Sequence, residues 1–240
     1  MSGGETDATA HAGGARRGRA YRLVVFDWDG TLIDSIGSIV ECTRCALADL
    51  GVEMPPVEEI RSSIGLGLED TFARYYPHLG RDMRARVMER YAHHWVETWH
   101  LRHDPFPASG EVLRRLSAAG ALLGLATAKS RRGLVRDFAR TGLGAHFHAT
   151  RTVDECPPKP SPAMLLELME ELGAGPAETL MVGDSRWDLE MARNAGVDSV
   201  AVLGGASVEV ELRDCGPVAC LPGVGELAGW LDLEQLIAGS

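Results

Sequence analysis

The sequence predicts an α/β fold: a Rossmann-like parallel sheet flanked by helices, with an all-helical cap domain inserted after the first strand. Short, nearly continuous apolar runs recur along the chain, as expected of strands buried on both faces. Helical patterns alternate with these runs, which implies parallel strands joined by right-handed crossovers. The alternation breaks once, after the first run, where about seventy residues carry only helical patterns. That stretch is too long for a simple crossover.

Residues 1–20 are rich in Gly, Ala, Thr and Arg, lack the apolar stretch of a secretory signal, and read as a mobile tail. Tyr21 to Phe26 (YRLVVF) is the first strand. The helical insertion follows, with Ile36, Ile39, Val40, Thr43, Leu47 and Leu50 on one apolar stripe and Met88, Tyr91, Trp95 and Trp99 on another. The chain returns to the sheet near Pro105-Phe106-Pro107, which divides it into a core of residues 21–34 and 106–240 and a cap of residues 35–105. A helix over Gly110 to Ala119 leads to the strand Ala121 to Thr127 (ALLGLAT), and Ser130 caps a helix over Arg131 to Thr141. A weaker strand lies at His146 to Thr150. Ser161-Pro162, a capping hydroxyl and then proline in the first turn, starts a helix that runs to Leu172. Thr179 to Val182 is a strand, Trp187 to Ala195 a helix closed by Gly196, and Ser199 to Leu203 a further strand. Gly223-Val224-Gly225 lacks the surroundings of a dinucleotide site and reads as a turn before a last helix.

Composition excludes several classes of function. The net charge of −10 over 240 residues argues against a nucleic-acid surface, and no apolar run approaches the ~18 residues of a membrane span. Five cysteines without a secretory signal suit a reducing compartment, so the expected location is cytoplasmic. Cys42 and Cys45 form a C-x-x-C inside a helical pattern with no second ligand pair, and read as small core residues. His93, His94, His100 and His103 are dense enough to suggest a transition metal, but read better as the polar face of an amphipathic helix.

The chemistry is concentrated at strand ends. Strand one runs into Asp27-Trp28-Asp29-Gly30-Thr31, two acids around one residue and then a glycine for a tight turn. A calcium loop also begins D-x-D, but here the glycine is misplaced and Ser38 stands where a bidentate Glu is needed. A second acidic group, Gly183-Asp184-Ser185-Arg186-Trp187-Asp188, follows another strand. Hard oxygen donors gathered at one sheet edge suit Mg²⁺. The strand ending in Thr127 continues into Ala128-Lys129-Ser130; Ala128 replaces the glycine that a nucleotide P-loop needs before its lysine. Pro157-Pro158-Lys159-Pro160-Ser161-Pro162 holds a lysine among prolines just before a helix. Lys129 and Lys159 are the only lysines among 24 basic residues, which suggests that a compact ammonium is wanted at both places.

DWDGT, LAT, PPKP and GDSRWD, in this order, resemble the four motifs of the haloacid dehalogenase superfamily, and the helical insertion resembles the small cap of its phosphoglycolate-phosphatase-like members. Trp28 departs from the Phe, Leu or Met more usual between the two acids. The resemblance implies that Asp27 is a nucleophile forming an aspartyl phosphate and that Asp29 is general acid and base. It implies Mg²⁺ held by Asp27, the Asp29 backbone carbonyl and Asp184. Lys159 and Thr127 would contact the phosphoryl oxygens, and Asp188 would orient metal-bound water or Lys159. The implied activity is hydrolysis of a small phosphorylated metabolite, with phosphoglycolate a candidate. A sugar-phosphate mutase and a non-catalytic phosphate-binding module are the alternatives. Expected substrate contacts are Arg61, as a grip on a substrate carboxylate, Gly65 in the same cap segment, and Lys129 and Arg131 near the sheet edge.

Overall fold

In the computed structural model, residues 21–99 and 102–231 are described; the expected mobile tail, 1–20, and His100 lie outside them. A parallel sheet of six strands runs in the order β3-β2-β1-β4-β5-β6. Its strands are β1 (Leu23–Phe26), β2 (Leu122–Thr127), β3 (Ala149–Thr152), β4 (Thr179–Gly183), β5 (Asp198–Val202) and β6 (Ala219–Leu221). The helices α1 (Ile36–Ala48), α2 (Val57–Ser63), α3 (Leu68–Tyr75) and α4 (Arg81–Glu97) stand between β1 and β2. The later helices are α5 (Ser109–Ala118), α6 (Arg131–Thr141), α7 (Ala163–Leu172), α8 (Arg186–Ala195), α9 (Glu209–Asp214) and α10 (Leu227–Trp230).

The continuous apolar runs follow from burial on both sheet faces. In β1, Leu23 and Val25 pack with Leu165 and Leu168 of α7 and Met191 of α8, whereas Val24 and Phe26 face Val112, Leu113 and Leu116 of α5 and Leu227 of α10. Successive side chains point to opposite faces, so both parities must be apolar. The insertion has its own small core, in which Ala46 and Leu47 of α1 meet Phe72 of α3 and Val87 of α4.

Two sheet margins differ from expectation. The strand expected at His146 to Thr150 lies at Ala149–Thr152, because Leu143–His146 closes as a 3₁₀ turn after α6. Its edge position leaves Thr150 and Arg151 half-buried, which weakens the apolar signal. The opposite edge, β6, has only three residues and no detectable apolar run. The turn expected at Gly223-Val224-Gly225 is found as a short 3₁₀ helix over Val224–Glu226, directly before α10.

Candidate active site

The strand order determines what meets what. β1 lies between β2 and β4 with all strands parallel, so Asp27, Thr127 and Asp184 emerge side by side at the carboxyl edge where ligands of open α/β sheets bind. Lys159 arrives from the loop between β3 and α7. Its Nζ donates to Asp27 Oδ1 and to Asp188 Oδ1, each at 2.6 Å, and all three side chains are buried. Burial opposes the ammonium charge, but the Asp188 and Asp27 carboxylates outweigh it and hold Lys159 above its ordinary range.

Asp27, Asp184 and Asp188 each offer a carboxylate oxygen within 4.8 Å of the others. Three buried acids against one lysine leave uncompensated negative charge, which is costly without a further cation. Burial raises Asp27 well above the usual carboxylate range, with Lys159 opposing and the charges of Asp188 and Asp184 adding to the rise. Burial, and then the Asp188 charge, push Asp184 up to about 7. The buried oxygen donors suit a hard divalent cation.

Asp184 is held by Thr31 Oγ1, which donates to Oδ1 at 2.6 Å, and by Ala206 N–H, which donates to Oδ2 at 2.7 Å. Gly205 makes this approach feasible, since a Cβ there would lie 2.1 Å from Asp184 Oδ2. Asp188 sits in the first turn of α8, where Ser185 caps the helix and donates through Oγ to Asp188 Oδ2 at 2.6 Å. Asp188 was expected to orient metal-bound water or Lys159; it accepts from Lys159 Nζ, and its carboxylate also lies within 4.8 Å of those of Asp27 and Asp184.

Asp29 turns its side chain away from that cluster. Ser35 Oγ donates to its Oδ1 at 2.7 Å, and Lys129 Nζ lies 3.2 Å from its Oδ2. Carboxylates crowd around Asp27 and Asp184, whereas the close neighbour of Asp29 is a cation. Lys129 also lies 3.3 Å from Asp137 and 4.8 Å from the centre of the Trp95 ring. Burial opposes its charge, but Asp29 and Asp137 raise it overall. Trp28 Nε1 donates to the same Asp137 Oδ2 at 2.9 Å. Thr127 is buried, and its Oγ1 accepts from Lys129 N–H at 3.2 Å.

A cavity of about 680 Å³ opens onto Asp27 and Asp29 and is lined also by Thr127, Lys129 and Gly65. Two expected substrate contacts lie elsewhere. Arg61 donates to the Gly205 carbonyl at 2.7 Å, which ties the cap to the core loop beside Asp184. Arg131 pairs with Glu155 at 2.6 Å and donates to Thr150 Oγ1; neither arginine is among the residues lining the cavity. Ser35, Thr31, Asp137 and Ala206 had not been anticipated. Only the Gly204-Gly205 pair after β5 carried a signal, as a place of close backbone approach.

Of the histidines expected on one polar helix face, His93 and His94 lie on α4, whereas His103 lies beyond its end and is buried. Cys42 is buried with its thiol against the Tyr91 carbonyl, and burial raises its pKa. His94 bonds Asp49 at 2.8 Å, and His103 is buried against Trp95, where burial lowers its pKa. Among the described residues no helix is long and apolar enough to cross a membrane.

The chain resembles known proteins in sequence and in fold. Over 211 residues the chain is 33% identical to a Dickeya dadantii protein named "Probable phosphatase IndB", covering 86% of this chain and 92% of that protein. It is 29% identical over 229 residues to a phosphoglycolate phosphatase of Pseudomonas savastanoi pv. phaseolicola, covering 92% of this chain and 84% of the relative. The crystal structure of a hydrolase from Pseudomonas syringae superposes with a TM-score of 0.81 at 23% identity, covering 88% of this chain and 98% of that one. The haloacid dehalogenase-like hydrolase family matches residues 24–202, the span from β1 to the end of β5 that brings both acidic groups and Lys159 to one sheet edge, and to that family the chain belongs.

Proposed function

We propose that the chain is a Mg²⁺-dependent phosphomonoesterase that works through an aspartyl phosphate on Asp27. The observation that carries this reading is the buried Lys159 ammonium bridging Asp27 and Asp188 at 2.6 Å beside Asp184. Asp27, Asp184 and Asp188 would hold the metal together with the Asp29 backbone carbonyl. When bound, Mg²⁺ would offset the repulsion between the carboxylates and an incoming phosphate.

Asp27 attacks phosphorus through one carboxylate oxygen, the P–O bond to the alcohol breaks, and the phosphoryl group stays on Asp27. Asp29, fixed by Ser35 and Lys129, gives its proton to the departing alkoxide and takes one from the water that then hydrolyses the acyl phosphate. Lys159 holds the nucleophile in place and, with Thr127, faces the phosphoryl oxygens. Residues 35–105 act as the cap and residues 21–34 and 106–240 as the core. Gly65 and Lys129 belong to the substrate chamber. The substrate is a small phosphorylated metabolite in a cytoplasmic setting, which the five free cysteines support. Phosphoglycolate is the reference ester because relatives carry it in their names.

Asp27→Asn should abolish Mg²⁺-dependent release of phosphate from p-nitrophenyl phosphate, a loss of at least about 10³-fold. Absence of Mg²⁺-dependent release by the unmodified protein would sink the reading. Transfer of phosphate to a sugar phosphate instead of water would move it to the mutase alternative.

A further inference from the structure

We infer that the substrate carries an apolar body on its alcohol side, in preference to the short carboxylic acid of phosphoglycolate; this rests on the phosphatase reading above. The cavity of about 680 Å³ is far more than a phosphate and two carbons need, and falls in the range of roughly 300–1,000 Å³ that holds drug-sized ligands. Its cap side presents a group of apolar side chains: Ile60 from α2, Leu66 from the following loop, Phe72 from α3, and Met88, Tyr91 and Trp95 from α4. These side chains come from three helices and one loop and line the same cavity as Asp27 and Asp29.

Among the described residues, a carboxylate in that space would meet no buried cation that is free of a carboxylate partner. Arg61 is committed to the Gly205 carbonyl and Arg131 to Glu155 and Thr150. Lys129 reaches the cavity already paired with Asp29 and Asp137 and packed over Trp95. Arg132 and Arg136 line it at exposed and half-exposed positions on α6, and so do the exposed acids Glu69, Asp70 and Asp154. A short acid would therefore leave the apolar wall wet, whereas a ring or branched chain would displace that water and bury the wall.

The test compares kcat/KM of the full-length protein with Mg²⁺ for ethyl phosphate, 2-cyclohexylethyl phosphate, 2-phenylethyl phosphate and phosphoglycolate. All four lose a primary alkoxide, so differences report the alcohol pocket. The two bulky esters should exceed ethyl phosphate and phosphoglycolate by roughly tenfold or more. Met88→Trp, which adds bulk to the α4 wall, should narrow the ratio between the 2-phenylethyl and ethyl esters. Phosphoglycolate or ethyl phosphate turned over as efficiently as the bulky esters, while p-nitrophenyl phosphate is hydrolysed, overturns this inference and leaves the phosphatase reading standing. No hydrolysis of any ester overturns both.

Discussion

Trp28 shows how a single residue links packing to the site. The indole is fully buried, with its ring edge-on to Phe138 at 5.3 Å, so it fills space that a smaller residue would leave open. Its Nε1 hydrogen bond to Asp137 also ties it to Lys129, and through Lys129 to Asp29. The sequence showed only a departure from the usual Phe, Leu or Met between the two acids. The hydrogen bond could not be read, because 109 positions separate its partners. Trp28→Phe keeps an aromatic ring but removes the donor and leaves Asp137 short of a partner. It should cost about 1–3 kcal/mol of stability, measured by urea denaturation. An unchanged midpoint would mean that Asp137 is satisfied without the indole.

At the scale of elements, the end of α2 and the loop after it fix the cap on the core. Arg61 reaches the Gly205 carbonyl at 2.7 Å, and Trp187 Nε1 of α8 donates to the Ser62 carbonyl at 2.8 Å. Just after them in the chain, Gly65 has a φ of 105°, and a Cβ there would lie 2.6 Å from Ser185 Oγ, the group that caps α8 and holds Asp188. Backbone conformation and close approach thus both require glycine at this position. Gly65→Val should push the cap segment off the core and raise KM for a small aryl phosphate by roughly tenfold, about 1.4 kcal/mol. Steady-state kinetics would show this, and an unchanged KM would show that the segment tolerates displacement. The helical pattern of the insertion was legible because α1 and α4 keep apolar residues at helical spacing. The docking contacts were not, since a guanidinium on a distant carbonyl leaves no periodic trace.

At the scale of the whole molecule, the buried acids at the sheet edge make stability depend on pH. An unfolded carboxyl titrates near ~3.9, whereas burial and Asp188 push Asp184 up to about 7, and Asp27 is raised in the same direction. A folded pKa above the unfolded one contributes stability that is complete below pH ~4 and is lost as pH rises through about 7. Divalent cations bind the deprotonated carboxylates, so Mg²⁺ should compensate increasingly over that window. The rise in Tm on adding Mg²⁺ should accordingly be larger at pH 8 than at pH 6, as read by thermal denaturation. A rise independent of pH would place the titrating groups outside the metal site. The sequence by itself determined the central strands, the place of the insertion and the family motifs, because burial on both sheet faces and turn chemistry at strand ends are local demands written at fixed spacing. Only the tertiary structure decided that Asp188 joins the acidic cluster, that Arg61 is spent on a backbone carbonyl, and that apolar side chains of the cap line the chamber. Those outcomes depend on which distant surfaces close against each other, and hydrogen bonds and cavity walls made across such surfaces impose no pattern on neighbouring residues.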